Sequence, residues 1–351
     1  LTEAEKWRTL AQILAVTVPL GTLIGLGLGW LIGGAGESMA AGAAIGFLVS
    51  AGIVSFDVSW AVGLIPRAWR EAPFLVVLVT RSLVWLAVIV VGISLPLLTV
   101  AGLSRADLVD QQFVIAVALS FFGALLFNFV GQVNRLLGRR MLVRLILGRY
   151  HRPREETRVF LLIDLRGSTQ IAQRLGNLRY HAFLRRFISD VTGSVVRYRG
   201  EVHRYVGDQV ILTWTAEEGL RNARCVTALF AISDTLETAR SEYEADFGVV
   251  PSFWAGLHLG PVVAGEIGTF KQEIAFLGDT LNAAARIEQA TKELQPQFLA
   301  SADVISALDL PKDIATESLG PFELRGIEHS VELFALTRVA DQPAAEPRLA
   351  L

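Results

Sequence analysis

The run RVFLLID, residues 158–164, has the β-branched and aromatic content of a buried strand, and it ends on a lone carboxylate, Asp164. The turn that follows, Arg166-Gly167-Ser168-Thr169, opens a helix. Free backbone N–H groups at Gly167, Ser168 and Thr169 then point at whatever occupies the strand tip, and such amides favour phosphate oxygens. A carboxylate beside a phosphate repels it unless a divalent cation stands between them. The stretch therefore asks for Mg2+ or Mn2+ and a nucleotide polyphosphate. Taken alone, an Asp at a strand end serves equally well as a helix cap.

A second carboxylate changes the balance. GEVHRYVGDQVILTW, 200–214, reads as strand, two-residue turn, strand, with Gly207 and Asp208 at the tip. If this hairpin pairs beside the first strand, Asp164 and Asp208 converge. Two acids on adjacent strand tips can hold two metal ions about 3.5–4 Å apart, one polarising an attacking hydroxyl and one binding a triphosphate. A third element, FLGDTLNAAARIEQAT at 276–291, begins a helix on which Asn282 and Arg286 are four apart and share a face. An amide and a guanidinium so placed can orient a sugar and neutralise charge developing on a phosphate. Arg286 read alone is also a plausible surface ion-pair residue.

Together these segments resemble the class III adenylate/guanylate cyclase catalytic domain over about residues 156–338. FLLIDLRGST and HRYVGDQVILTW resemble the two metal-site strands of that family. GLHLGPVVAGEIG resembles its glycine-containing hairpin, GDTLNAAARIE its transition-state helix and LRGIEHSVELFAL its closing strand. The resemblance implies a ferredoxin-like βααββαβ fold and a head-to-tail homodimer with catalytic sites at the interface. It makes Asp164 and Asp208 the metal-binding acids and adds the backbone carbonyl of Leu165 as a further ligand. Asn282 would position the ribose, and Arg286 would stabilise the transition-state phosphate. The implied reaction is attack of the ribose 3′-hydroxyl on the α-phosphate of ATP, giving 3′,5′-cyclic AMP and pyrophosphate, with two Mg2+ or Mn2+ ions per site.

Base selection is where the chain departs from the family. Adenylate cyclases usually carry Lys four residues before the second metal acid; here it is Arg204, still a cationic donor able to reach the adenine N1. The partner position, usually Asp or Thr, is Ala275, which has no acceptor for the adenine amino group. Losing one such buried hydrogen bond costs about 1–3 kcal/mol, which weakens discrimination between ATP and GTP. Glu273 or a backbone carbonyl could compensate. A guanylate or dual-specificity cyclase, or a degenerate cyclase-like module for nucleotide sensing or dimerisation, stays open beside the adenylate cyclase reading. A diguanylate cyclase is disfavoured because its GGDEF-type signature is absent, and transport because the membrane stretches have few polar positions.

The elements that carry these residues occupy only half of the chain. Four apolar stretches, roughly 8–33, 38–65, 73–101 and 111–134, each exceed the ~20 residues that cross a ~30 Å hydrocarbon layer. Arginines at 67 and 70, and again after 134, put both termini on the cytoplasmic side of the inner membrane by the positive-inside rule. Trp7, Trp30 and Trp69 fall near the expected interfaces. Asp57 and Arg81 reach similar depth in neighbouring spans, where an unpaired charge is costly, so they are expected to pair, with Asn128 as a third partner. The expected organisation is a four-helix membrane domain (1–138), a basic connector helix (139–155), the cyclase domain (156–338) and a disordered tail (339–351). The fold class is thus a membrane α-helical bundle plus an α/β, ferredoxin-like domain. A net charge of -2 gives no signal for nucleic acid as a partner; the expected partners are the lipid bilayer, ATP (or GTP) and a second copy. The single cysteine, Cys225, excludes an intramolecular disulfide and reads as core.

Overall fold

A computed structural model describes residues 3–33, 36–66, 69, 72–102, 111–137, 150–269, 273–323 and 330–339. Arg67, Arg70, Arg105, most of the expected connector helix (139–149) and nearly all of the expected tail (340–351) lie outside the described residues. The chain divides into two compact units, Leu1–Leu137 and Gly138–Leu351.

Among the described residues the first unit has four helices: α1 (Glu3–Gly33), α2 (Glu37–Val62), α3 (Phe74–Thr99) and α4 (Gln111–Leu137). Among the described residues three segments, Lys6–Leu31, Glu37–Val62 and Phe74–Thr99, are long and apolar enough to cross a membrane, while α4 carries the shorter apolar stretch Val117–Val133. Their outer surfaces suit lipid: Leu31 is 73% exposed, Val16 70% and Leu75 67%. Trp7, Trp30 and Trp69 are also exposed. Hydroxyls that would be costly in hydrocarbon return to their own helix, as Thr17 does to the Ile13 carbonyl and Thr80 to that of Val76. α1 and α2 meet through Gly21, Gly25 and Gly29 facing Gly42 and Gly46; a Cβ added at Gly25 would stand 2.2 Å from the Gly42 carbonyl oxygen. This small-residue seam lets two backbones approach closely.

The expected ion pair is formed. Arg81 donates to Asp57 Oδ1 at 2.7 Å, the Trp85 indole N–H donates to the same oxygen at 3.3 Å, and the guanidinium lies over Trp60, 5.2 Å from the ring centroid. Asn128 does not join it. Its amide faces Ser82 Oγ at 3.5 Å and donates to the Ala124 carbonyl at 3.0 Å, because its register on α4 sets it against Ser82. Two tryptophans take the place that Asn128 was expected to fill.

The second unit is built on β1 (Arg154–Leu165), β2 (Glu201–Val206), β3 (Gln209–Thr215), β4 (Phe253–Ile267), β5 (Glu273–Leu277), β6 (Phe298–Ser301), β7 (Ile314–Phe322) and β8 (Val331–Arg338). Its helices are α5 (Ser168–Leu175), α6 (Asn177–Arg197), α7 (Ala216–Leu220), α8 (Arg224–Thr238), α9 (Arg240–Phe247), α10 (Asp279–Leu294) and α11 (Ala302–Ile305). The strands lie in the order β2-β3-β1-β4-β6-β8-β7, with β5 paired to β4. Within it, β1-α5-α6-β2-β3-α8-β4 is the expected βααββαβ arrangement, with β1 antiparallel to both β3 and β4. β1 starts at Arg154, two residues before the expected boundary, and Tyr150 is already buried with Ala264 and Ile274.

Alternation along β1 assigns its two faces. Val159, Leu161, Ile163 and Leu165 pack with Phe183 and Phe187 of α6 and Val226 and Leu229 of α8. Cys225 lies in this core, and burial pushes its thiol up to about 12, so it is an unreactive apolar group. Phe160 and Leu162 point the other way, to Ala284 of α10. Asp164 continues that second face. α10 lies directly on the sheet because Gly256 has no side chain: a Cβ there would meet the Glu288 backbone nitrogen at 2.4 Å and its Cα at 2.7 Å. Gly256→Ala should therefore push α10 outward. The expected cost is about 1–3 kcal/mol, as for other overpacked cores, seen as a fall of a few degrees in the thermal midpoint of the full-length protein.

Candidate active site

Asp164 is the penultimate residue of β1 and Asp208 the second residue of the two-residue turn joining β2 to β3. Gly207 opens that turn at φ 64, a backbone conformation that favours glycine. The β1–β3 ladder pairs Ile163 with Val210. That pair brings the end of β1, with Asp164, beside the β2–β3 turn that carries Asp208. Two further groups feel both of them. Burial raises the Tyr180 phenol above its ordinary value; Asp208 and Asp164 raise it too, while a hydrogen bond with Ser168 opposes them. Burial likewise raises the Glu288 carboxyl; Lys292 opposes this, and Asp164 and Asp208 add to it.

Glu288 and Lys292 of α10 complete this corner. Lys292 Nζ lies 2.6 Å from Asp164 Oδ2 and 3.3 Å from Glu288 Oε1. The second contact pairs charges without hydrogen-bond geometry, which leaves buried Glu288 Oε1 without a hydrogen-bond partner. Gln209, next to Asp208, donates to Glu288 Oε2 at 3.3 Å. Burial works against the Lys292 charge, but Asp164 and Glu288 outweigh it and hold the ammonium above its ordinary value. The sequence reading did not single out Glu288, Lys292, Gln209 or Tyr180. The available signal was the four-residue spacing of Glu288 and Lys292 on the helix that carries Asn282 and Arg286.

Gly167 adopts φ 65 and precedes α5 with no side-chain cap. The first amides of that helix, including those of Ser168 and Thr169, are thus left to a ligand or to water. The donor set at the strand tips is two carboxylates and, at Leu165, a main-chain carbonyl. Among the described residues no cluster of three or more His, Cys, Asp or Glu side chains is arranged to hold a metal ion. These hard oxygen donors fit Mg2+ or Mn2+ held by two acids and completed by substrate phosphate, and do not fit an all-protein cage.

Asn282 and Arg286 are not brought to this corner. Arg286 sits about 160° around α10 from Glu288, and Asn282 about 120°, at 3.6 residues per turn. Asn282 is exposed, and Arg286 donates to Gln289 Oε1 at 2.7 Å. Arg204 and Ala275 form a third group at the β2–β5 side. Arg204 lies 2.5 Å from Glu273 Oε1, and Ala275 follows Glu273 by two residues on the same face of β5.

A family model described as the Adenylate and Guanylate cyclase catalytic domain matches residues 151–338. The chain belongs to this family. The cyclase domain so defined starts just before β1 and ends with β8. "Adenylate cyclase 2" of Rhizobium meliloti (strain 1021) is 33% identical over 352 residues, covering 97% of this chain and 95% of that protein, so the likeness extends through the helical unit. An uncharacterized protein of Mycobacterium tuberculosis (strain ATCC 25618 / H37Rv) is 28% identical over 189 residues, 52% of this chain and 32% of that protein. A solved structure of a bacterial light-regulated adenylyl cyclase superposes with a TM-score of 0.53 at 21% identity, covering 65% of this chain and 67% of that one. At that identity the likeness establishes the fold.

Beside the cyclase's Arg204, His203 packs on Phe276 with ring centroids 4.9 Å apart. Burial, then the Arg204 and Arg158 charges, lowers His203 from 6.5 to about 4. The unfolded chain therefore binds a proton there that the folded chain rejects, so stability falls as pH drops below about 6.5. By pH 5 the loss from this group is about 2 kcal/mol. His203→Gln should flatten the fall in thermal midpoint between pH 7 and pH 5.

Proposed function

We propose that the protein is a membrane-anchored adenylate cyclase that converts ATP to 3′,5′-cyclic AMP and pyrophosphate as a head-to-tail homodimer. One observation carries the dimer: Asp164 and Asp208 gather at one corner, while Asn282 and Arg286 point away from it on another face of α10. Each chain then offers half of two sites, and a second copy supplies the complementary half. The helical unit, shared along its length with a relative named as an adenylate cyclase, is the anchor. Four spans with both termini in the cytoplasm of the cell's inner membrane are the arrangement we favour.

When bound at Asp164, Asp208 and the Leu165 carbonyl, two Mg2+ or Mn2+ ions would activate the ribose 3′-hydroxyl and bind the triphosphate. The chain's own groups do the rest. The N-terminal amides of α5 at Gly167, Ser168 and Thr169 cradle phosphate oxygens. Asn282 of the partner subunit orients the ribose for in-line attack on the α-phosphate. Arg286 of the partner subunit neutralises charge that grows on the phosphate as pyrophosphate leaves.

The Arg204–Glu273 contact supports ATP as the substrate. With the ribose held in place, adenine presents its N1 acceptor toward Arg204 and its amino donor toward Glu273. Guanine in the same pose offers a donor to Arg204 and an acceptor to Glu273, so both contacts are mismatched. Glu273 thereby supplies the acceptor that Ala275 lacks. Glu273→Ala should cut the ATP-over-GTP preference about tenfold, consistent with the loss of one hydrogen bond to a charged acceptor; an unchanged ratio would remove Glu273 from base reading.

The deciding assay is cyclic-nucleotide formation by the purified full-length protein with ATP or GTP and Mn2+ or Mg2+. Asp208→Asn and Arg286→Ala should each be inactive or nearly so. Mixing the two variants should restore about a quarter of wild-type activity, since half of the dimers are mixed and each of these holds one intact site. No recovery in verified mixed dimers would rule out sites shared between chains.

A further inference from the structure

Lys292 is left without a task by the reaction just described. It lies about 120° around α10 from Arg286, so it serves the acid corner of its own chain and not the face that meets the second copy. Its ammonium contacts Asp164 Oδ2 at 2.6 Å, on one of the two acids that the metal reading requires. Glu288, one helical turn earlier and only 1% exposed, pairs with the same ammonium at 3.3 Å. Through Gln209 the Glu288 carboxylate is tied to the residue beside Asp208. The corner is therefore a network in which two carboxylates, Asp164 and Glu288, share one lysine, and Asp208 stands beside it next to Gln209.

We propose that Lys292, held in place by Glu288, is a resident cation of the metal site that divalent ions must displace from Asp164. The inference rests on the assignment of Asp164 and Asp208 as metal-binding acids. An oxygen already engaged by an ammonium cannot be approached from that side by another cation. The Lys292 side chain is 45% exposed and has a flexible four-carbon stem, so it can swing aside once an ion enters. Glu288, buried between α10 and the sheet and bonded by Gln209, does not follow it. Lys292 thus steadies Asp164 in the metal-free enzyme and weakens metal binding until the nucleotide brings its own phosphate ligands. It is a positioning residue, acting through Asp164.

The test is Mn2+ binding to the full-length protein in detergent, without nucleotide, read from the electron paramagnetic resonance signal of free Mn2+. Lys292→Met keeps the stem and removes the charge; it should tighten Mn2+ binding about fivefold, the scale of one partly exposed ion pair. Lys292→Arg should stay near wild type. Unchanged or weaker binding in Lys292→Met would overturn the proposal, as would Lys292→Arg binding as tightly as Lys292→Met. Asp208→Asn separates this failure from a deeper one. Mn2+ binding that is lost in Asp208→Asn but indifferent to Lys292 overturns only the role of Lys292. No Asp208-dependent binding in wild type or in Lys292→Met would overturn the metal assignment itself.

Discussion

Like charges gathered at one corner of a sheet repel each other unless a cation stands between them, and three carboxylates meet at such a corner here. Asp164 is carried there by β1, Asp208 by the β2–β3 turn and Glu288 by α10. Each element is held by apolar packing that has no stake in the charge. β1 is clamped by Phe183, Phe187 and Leu229 on one side and by Ala284 on the other. The packing forces the acids together, and the repulsion this creates is the physical basis for the proposed metal binding. Lys292 meets part of that demand.

The same packing underlies the proposal that one chain does not make a complete site. α10 must bury Ala283, Ala284, Ile287 and Glu288 against the sheet, and Gly256 lets it come close enough to do so. A helix that buries this face turns Asn282 and Arg286 outward. In the proposed dimer the groups that would hold a sugar and a phosphate would face a neighbour, while the acids remain on the home chain. Dependence on assembly, as proposed, would arise from ordinary helix geometry and need no special device.

The helical unit obeys a different constraint. In the membrane proposed for it, its helices would gain little from burying apolar surface, so close backbone approach at the Gly21–Gly25–Gly29 seam and satisfied polar groups would hold them. The Asp57–Arg81 pair follows from similar depth in adjacent helices, which was readable from residue counts alone. Its aromatic partners were not. Trp85 and Trp60 come to the pair through the rotation of α3 and α2 about their axes, and rotation also takes Asn128 to Ser82.

By itself the sequence determined the apolar spans, the strand-turn-helix order around Asp164, the hairpin tip at Asp208 and the helix bearing Asn282 and Arg286. These are local matters: periodicity, turn residues and run length act within a few positions along the chain. Only the tertiary structure decided which charges meet. Lys292 lies 128 positions from Asp164 and Arg204 lies 69 from Glu273, and both contacts depend on strand register and on the roll of one helix over a sheet. A spacing along the chain carries no information about that roll until the buried face of α10 and the glycine beneath it fix the direction in which each side chain points.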